Sequence, residues 1–359
     1  MTLSCFTSSL PAATSAPPPA SAAPATPPPA PTAPTGEVAR TFPPCPADGA
    51  CRDVADAIAF IDPARLNDHM LALSSFGSRD PRHPGHAQAA AYIKEQLGAL
   101  EYYGWKVESH RTVHDGIPLE SIFARLEGAD AGSGGSIFQR LPPATSWVVI
   151  AAHYDSIAVR TPGWRPAVDP APGADDNATG TAALLEFARV ISISVRERLR
   201  QRVVLAFFDG EELYFKGSAA WLQTLPRPYP IDAVVNIDMV GFNPLADRLD
   251  LIWYGARSDA LRDRVKAASE RYATGVSLVE VFADDPSRYI LDTAPFGLAG
   301  IPAVTLTERY GPPDATYPGN GFFHTTADTP DRVTNRSLWL KAARLTLATA
   351  LELAMAAKP

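Results

Sequence analysis

Two histidines and a group of carboxylates recur in this 359-residue chain at positions that suit one kind of chemistry. His153 and Asp155 end the apolar run WVVIAAHYD, Glu211 and Glu212 end RVVLAFFDGEE, and Asp238 lies near the end of AVVNIDMVG. Asp175 and Asp176 fall in PGADDNATG, just ahead of a helical stretch, and His324 falls in FFHTTADTPD. Singly, each has an ordinary explanation. A histidine at a strand end is commonly a satisfied polar residue. An Asp-Asp pair before a helix is commonly a cap favoured by the helix dipole, and Glu-Glu after a strand is commonly a solvated turn. Asp238 resists this treatment, because an unpaired carboxylate inside an apolar run costs several kcal/mol or is neutralised. It needs a cation or a strong donor. Together, imidazole nitrogens and carboxylate oxygens match ligation of a hard-to-borderline divalent metal. Cysteine is absent from the set, which excludes a structural Cys-rich zinc site.

These residues are far apart in sequence, so the fold must gather them. Asp62-Pro63 opens a helix through about Phe76, with proline at its first position. Pro84 to about Leu100 reads as a second helix with Ala, Tyr, Ile and Leu on one face, stopped by Gly104. WKVESHRTV and SIFARL alternate as strands, and residues 128–145 read as a loop. The runs at 147–155, 202–212 and 233–241 are continuous and apolar. TGTAALLEFARVIS, KGSAAWLQTL, a stretch at about 258–272 and Ser337 to Ala356 read as helices, and LDLIWYG and PAVTLTE as further strands. Apolar strands alternating with helices predict an α/β domain, with a mainly parallel sheet covered on both faces. In open sheets of this kind ligands bind outside the carboxyl ends of the strands, which is where the ionisable residues collect.

HYDS, GADDNATGTAALLEFAR, FFDGEELYFKGS, NIDMVG and FHTTADT together resemble the motifs of the M28 family of zinc aminopeptidases, from about Ser78 to the carboxyl terminus. The resemblance implies a zinc-exopeptidase fold, a mixed and mostly parallel sheet sandwiched between helices. It also implies two Zn2+ per chain and peptide substrates with a free N-terminus. Carried over by residue, it implies that His153 and Asp238 hold one zinc, Glu212 and His324 the other, and Asp176 both. It makes Glu211 the general base, makes Asp155 the partner that sets the His153 tautomer, and puts a cis peptide at Asp176–Asn177. The chemistry agrees. Two metals about 3.5–4 Å apart lower the pKa of a shared water and polarise a scissile carbonyl. Side chains of adjacent Glu211 and Glu212 diverge, so one can ligate while the other moves the water's proton to the leaving amine. Aromatics in the nearby loops, among them Trp164, Tyr214, Phe215, Phe242, Tyr310, Tyr317, Phe322 and Phe323, are candidates to line a side-chain pocket.

Rival readings divide on particular features. A glutaminyl cyclase uses one zinc, and FFDGEE leans towards it. GADDNATG, NIDM and the direct passage from Leu213 to Ser218 lean back to the peptidase. A carboxypeptidase or dipeptidase would share the metal chemistry. A non-catalytic binding module on the same fold is disfavoured, because every ligand position and the base position are filled. No Gly-x-Ser-x-Gly elbow, HExxH helix or Walker A loop is present. The sequons at Asn177 and Asn335 are read as unmodified, since a glycan on Asn177 would block the ligands.

The remaining composition bounds the setting. Net charge is -7, from 39 acidic and 32 basic residues, which argues against a nucleic-acid surface. No apolar stretch of about 18 residues exists to span a membrane. Of 35 prolines, 13 lie in the first 46 residues, and an Ala/Pro/Thr/Ser segment cannot bury a core. Residues 1–45 are therefore expected to be a disordered tether and 46–359 a single catalytic domain. Cys45 and Cys51 could close a small disulfide or stand as free thiols. Cys5, ahead of the tether, resembles the lipid-bearing cysteine of a bacterial lipoprotein, although the apolar region of a signal is missing. The expectation is an exported bacterial protein, periplasmic, secreted, or anchored to the envelope by a lipid on Cys5.

Overall fold

The structure, a computed structural model, describes residues 49–129, 147–283, 291–309 and 313–356. Three helices, α1 (Ala50–Ala59), α2 (Pro63–Ser75) and α3 (Pro84–Gly98), lead into a hairpin of β1 (Lys106–His114) and β2 (Ile117–Leu126). There follow β3 (Trp147–His153), α4 (Thr179–Ser194), β4 (Arg202–Phe208), α5 (Lys216–Thr224), β5 (Ile231–Asp238) and β6 (Arg248–Trp253). The chain closes with α6 (Asp259–Arg271), β7 (Ser277–Phe282), α7 (Ala294–Leu298), β8 (Ala303–Thr307) and α8 (Arg336–Met355). All described residues belong to one compact unit.

The sheet has the strand order β1-β2-β4-β3-β5-β8-β6-β7. Its centre, β4-β3-β5-β8, is parallel. β2 adds to β4 antiparallel, and β6 adds to β8 antiparallel with β7 parallel beyond it. The sheet is thus mixed with a parallel middle, sandwiched between helices as expected.

The continuous apolar runs follow from burial on two sides. Val148, Ile150 and Ala152 of β3 face a core shared with α1 to α4, α6 and α8, while Trp147, Val149 and Ala151 face a second core with α5 and α7. In β4 the same alternation puts Val203, Leu205 and Phe207 on one side and Val204, Ala206 and Phe208 on the other. In the second core Trp221 of α5 stacks on Phe123 with ring centroids 4.7 Å apart. Burying such a large apolar side chain contributes about 1.5–3 kcal/mol.

Local signals set the helix starts. Asp62 caps α2 through a hydrogen bond from the Ala64 N–H at 2.8 Å, with Pro63 next, as the sequence predicts. The His83 imidazole caps α3, accepting from Gly85 N–H at 3.0 Å. Three elements went unread. α1 follows a Pro- and Gly-rich stretch that masks its short buried stripe of Val54, Ala57 and Ile58. β7 is an edge strand, nowhere fully buried, so it carries no apolar run. α7 is only five residues long. Cys51 is disulfide-bonded. The tether, Cys5, Cys45 and most of the 128–145 loop lie outside the described residues. Among the described helices none is long and apolar enough to cross a membrane.

Candidate metal centre

The three central strands end side by side and deliver their last residues to one crevice. His153 is the final residue of β3, paired in register with Phe208 at the end of β4. From there the chain turns through Gly210, at φ 69, to Glu211 and Glu212. That left-handed φ favours glycine, and a Cβ there would also press on the Leu119 side chain, 2.8 Å away. Asp238 ends β5 on the other side of β3. Asp176 arrives from the turn ahead of α4, where the Asp176–Asn177 peptide is cis. The Asn177 carboxamide fixes that turn, accepting from Gly180 N–H at 2.8 Å and donating to the Ile237 carbonyl at 3.0 Å. His324 comes from the loop before α8.

Two triads result, and Asp176 belongs to both. His153 Nε2 lies 3.3 Å from Asp238 Oδ1 and 3.4 Å from Asp176 Oδ1. His324 Nε2 lies 3.1 Å from Asp176 Oδ2 and 2.9 Å from Glu212 Oε2. One oxygen of Asp176 therefore faces each triad. His153, Glu211 and Glu212 also offer atoms within 4.8 Å of one another. His153, Asp238 and Asp176 are buried, whereas the His324 side chain is 27% exposed. The crevice thus opens on the His324 side.

Asp155 organises this group without facing the shared space. Its Oδ1 accepts the Glu211 N–H and its Oδ2 the Glu212 N–H, each at 3.2 Å. His153 Nδ1 lies 3.2 Å from the Asp155 carbonyl and 3.4 Å from its Oδ1. A carbonyl only accepts, so Nδ1 carries a proton whatever the state of Nε2, which is the nitrogen turned to the acids. On the opposite side, Asp328 accepts the N–H groups of Asp175 and Asp176, both at 3.0 Å. The His324 loop is held by Arg160, whose N–H donates to the His324 carbonyl at 2.8 Å and whose guanidinium lies 4.6 Å over Phe323. Tyr214 is exposed at this rim, Phe215 packs against a small core at Tyr254, and Phe242 meets Phe322 edge to face. Tyr310 lies outside the described residues.

Burial works against every charge here. It raises Glu211 well above the ordinary carboxylate range, with Glu212, Asp292 and Asp238 adding repulsion. It lifts Glu212 to about 7, aided by Asp176, and raises Asp238 as well. Asp176 is lowered in spite of burial, because His153 and His324 both hydrogen-bond to it. The histidines go the other way. Burial opposes their charge, yet Glu212 and Asp176 carry His324 to about 11, and Asp238, Asp155 and Asp176 carry His153 well above its usual value. Five carboxylates crowd two imidazoles, an excess of negative charge that cations would offset. Glu212 Oε1 is buried and has no hydrogen-bond partner. The donors fit divalent metal, and their nitrogen and oxygen composition fits zinc.

Six of the residues singled out from the sequence, His153, Asp176, Glu211, Glu212, Asp238 and His324, meet in this crevice. Asp155 stands behind them, and Asp175 turns away to accept from the Gly241 N–H at 2.8 Å and the Asn320 amide at 3.0 Å. Their outer partners were missed. Asp328 and the buried Asp292 are electrostatic neighbours of the same cluster, with burial pushing each to about 7. Their one sequence signal was an acid beside Thr-Pro or Thr-Ala-Pro in a loop, which reads as a turn.

The family model for peptidase family M28 matches residues 136–349, more than half of the chain. The chain belongs to peptidase family M28. It is 29% identical over 312 residues to leucine aminopeptidase 1 of Coccidioides posadasii, covering 85% of this chain and 74% of that one. Against leucine aminopeptidase 1 of Neurospora crassa it is 26% identical over 196 residues, 53% of this chain and less than half (44%) of the relative. In solved structures this M28 chain is similar to the LapA aminopeptidase of Legionella pneumophila, with a TM-score of 0.66 and 21% identity over 86% of this chain and 73% of that one. It is also similar to Porphyromonas gingivalis glutaminyl cyclase, with a TM-score of 0.59 and 20% identity over 82% of this chain and 98% of that one. These two are likenesses of fold.

Proposed function

We propose that this M28 protein is a zinc-dependent aminopeptidase that releases N-terminal residues from peptides at a site for two ions. The observation that carries this reading is Asp176, whose two oxygens face separate His–carboxylate triads. His153 and Asp238 would hold one ion, Glu212 and His324 the other, and Asp176 both. Two such ions, when bound, supply a water of lowered pKa and polarise the scissile carbonyl. The protein's own part is to hold and move a proton. Glu211 is buried beside the ligands but is not needed by either triad, so its carboxylate is free to take the water's proton and pass it to the leaving amine. Asp155 holds the Glu211 and Glu212 backbones at a fixed spacing and keeps His153 Nε2 turned inward. The peptide enters from the His324 side with its free amine leading.

The second reading is a single-zinc cyclase acting on N-terminal glutamine, favoured by the fold likeness that covers nearly the whole of the Porphyromonas enzyme. The test is incubation of zinc-loaded protein with a Leu-initiated and a Gln-initiated peptide. Free leucine is expected. Cyclised glutamine without leucine release would overturn the proposal, and no turnover of either would favour a binding module.

A further inference from the structure

Of the two arginines that are fully buried among the described residues, Arg79 and Arg202, Arg79 lies beside the acids of the metal centre. Arg79 is 0% exposed. Its guanidinium donates from Nε to the Tyr154 carbonyl at 2.6 Å, from Nη1 to Pro172 at 2.5 Å and from Nη2 to Gly173 at 2.9 Å. All three acceptors are main-chain carbonyls. Its own N–H donates to Ser156 Oγ at 3.0 Å, and that hydroxyl donates to the Ala171 carbonyl at 2.7 Å.

The positions of these carbonyls give the arrangement its meaning. Tyr154 stands between His153 and Asp155, and Pro172 and Gly173 lead directly into Asp176. One planar fork therefore ties the end of β3 to the segment that delivers the shared carboxylate. There is no slack in that segment. Gly173 has φ 51, and a Cβ on it would stand 2.2 Å from the Asp176 carbonyl oxygen and 2.9 Å from Arg79 Nη2. Burial lowers the guanidinium to about 10, while Asp328, Asp176, Asp155 and Glu212 favour its charge, so it is a cation at neutral pH. Burying a cation with only carbonyls as its hydrogen-bond acceptors is costly, and the nearby acids offset that cost in part. An arginine kept there points to a geometric role, since its rigid fork can satisfy three acceptors at set directions, which a lysine cannot.

We infer that Arg79 is a positioning residue for the metal centre, its fork fixing the separation of His153 and Asp176 and so the affinity for the ion that those two residues would hold together. This rests on the two-ion reading above.

The test is stepwise zinc titration of the full chain against a chromophoric chelator, for wild type, Arg79→Lys and Ser156→Ala, with the melting temperature of each zinc-free protein taken alongside. Arg79→Lys keeps the charge and removes the fork. It is expected to weaken one of the two stepwise zinc affinities, that of the ion held by His153 and Asp176, by about 10–100-fold, as loss of an outer partner of a metal site does. Ser156→Ala loosens the Arg79 backbone and keeps the fork, so it should give a smaller loss in the same affinity. A purely structural role would lower the melting temperature and leave the zinc affinities alone. Folded Arg79→Lys with wild-type affinities overturns the inference. If that variant does not fold, Ser156→Ala with wild-type affinities overturns it. A wild-type protein that takes up only one zinc refutes the two-ion reading instead, and the inference for Arg79 is then judged on that single affinity.

Discussion

Replacing Asp155 by asparagine isolates the geometry that separates Glu211 from Glu212. Each Asp155 oxygen now accepts one backbone N–H, from Glu211 and from Glu212. Asparagine has one acceptor, and its amide NH2 would face the other N–H. One hydrogen bond to a charged group is lost and a buried donor is left unpaired, at about 1–3 kcal/mol. Since about 1.4 kcal/mol is a factor of ten, the loss corresponds to about 5–150-fold. It should appear in two readouts, because one displaced residue is the proposed base and the other a proposed ligand. Zinc affinity, from chelator competition, is expected to fall along with kcat on a Leu-initiated peptide, while circular dichroism stays native. Wild-type zinc affinity and kcat in folded Asp155→Asn would refute the role given to this carboxylate.

Glu211→Gln should keep its zinc and lose about 10²–10⁴-fold in kcat, the usual contribution of a general base. Near wild-type turnover would remove Glu211 from the mechanism. Asp176→Ala should weaken both ions together, and elemental analysis still finding two zincs per chain would contradict the bridge. The zinc-free protein should be less stable at higher pH. Burial holds Glu308 at about 8 against an ordinary 4.5, and Asp328 at about 7 against 3.8. Both folded values are raised, so their stabilising effect is complete below the unfolded pKa and is lost as pH rises through the folded one. His324, raised from 6.5 to about 11, extends the loss upward. The melting temperature of chelator-treated protein should therefore fall between about pH 5 and 8, and zinc should raise it most at the upper end, where the ligands lose protons readily. A zinc-free melting temperature that climbs over that range would contradict the assigned shifts.

The parts of this protein that were legible in sequence share a physical cause. Carboxylates and histidines at the ends of runs such as WVVIAAHYD stand out because the strands are buried on both faces and tolerate charge only where they leave the sheet. That same two-sided burial made β3, β4 and β5 easy to place. The outer shell was not legible, because its meaning lies in long-range contacts. Arg79 sits in SRDPRH, which reads as a solvated loop, and its carbonyl partner Tyr154 is 75 residues away. Asp328 reaches the Asp176 backbone across 152 residues. β7 was missed for the opposite reason. An edge strand with Ser277, Val279, Glu280 and Phe282 exposed carries no core-facing alternation to detect.

The most direct test of the central claim is the zinc content of the purified, zinc-saturated protein, counted per chain in the same sample that is assayed for release of free leucine from a Leu-initiated peptide. Two zincs with leucine release is the expected result. One zinc, with cyclised glutamine from a Gln-initiated peptide and no leucine released, would contradict it and leave Asp176 serving a single ion.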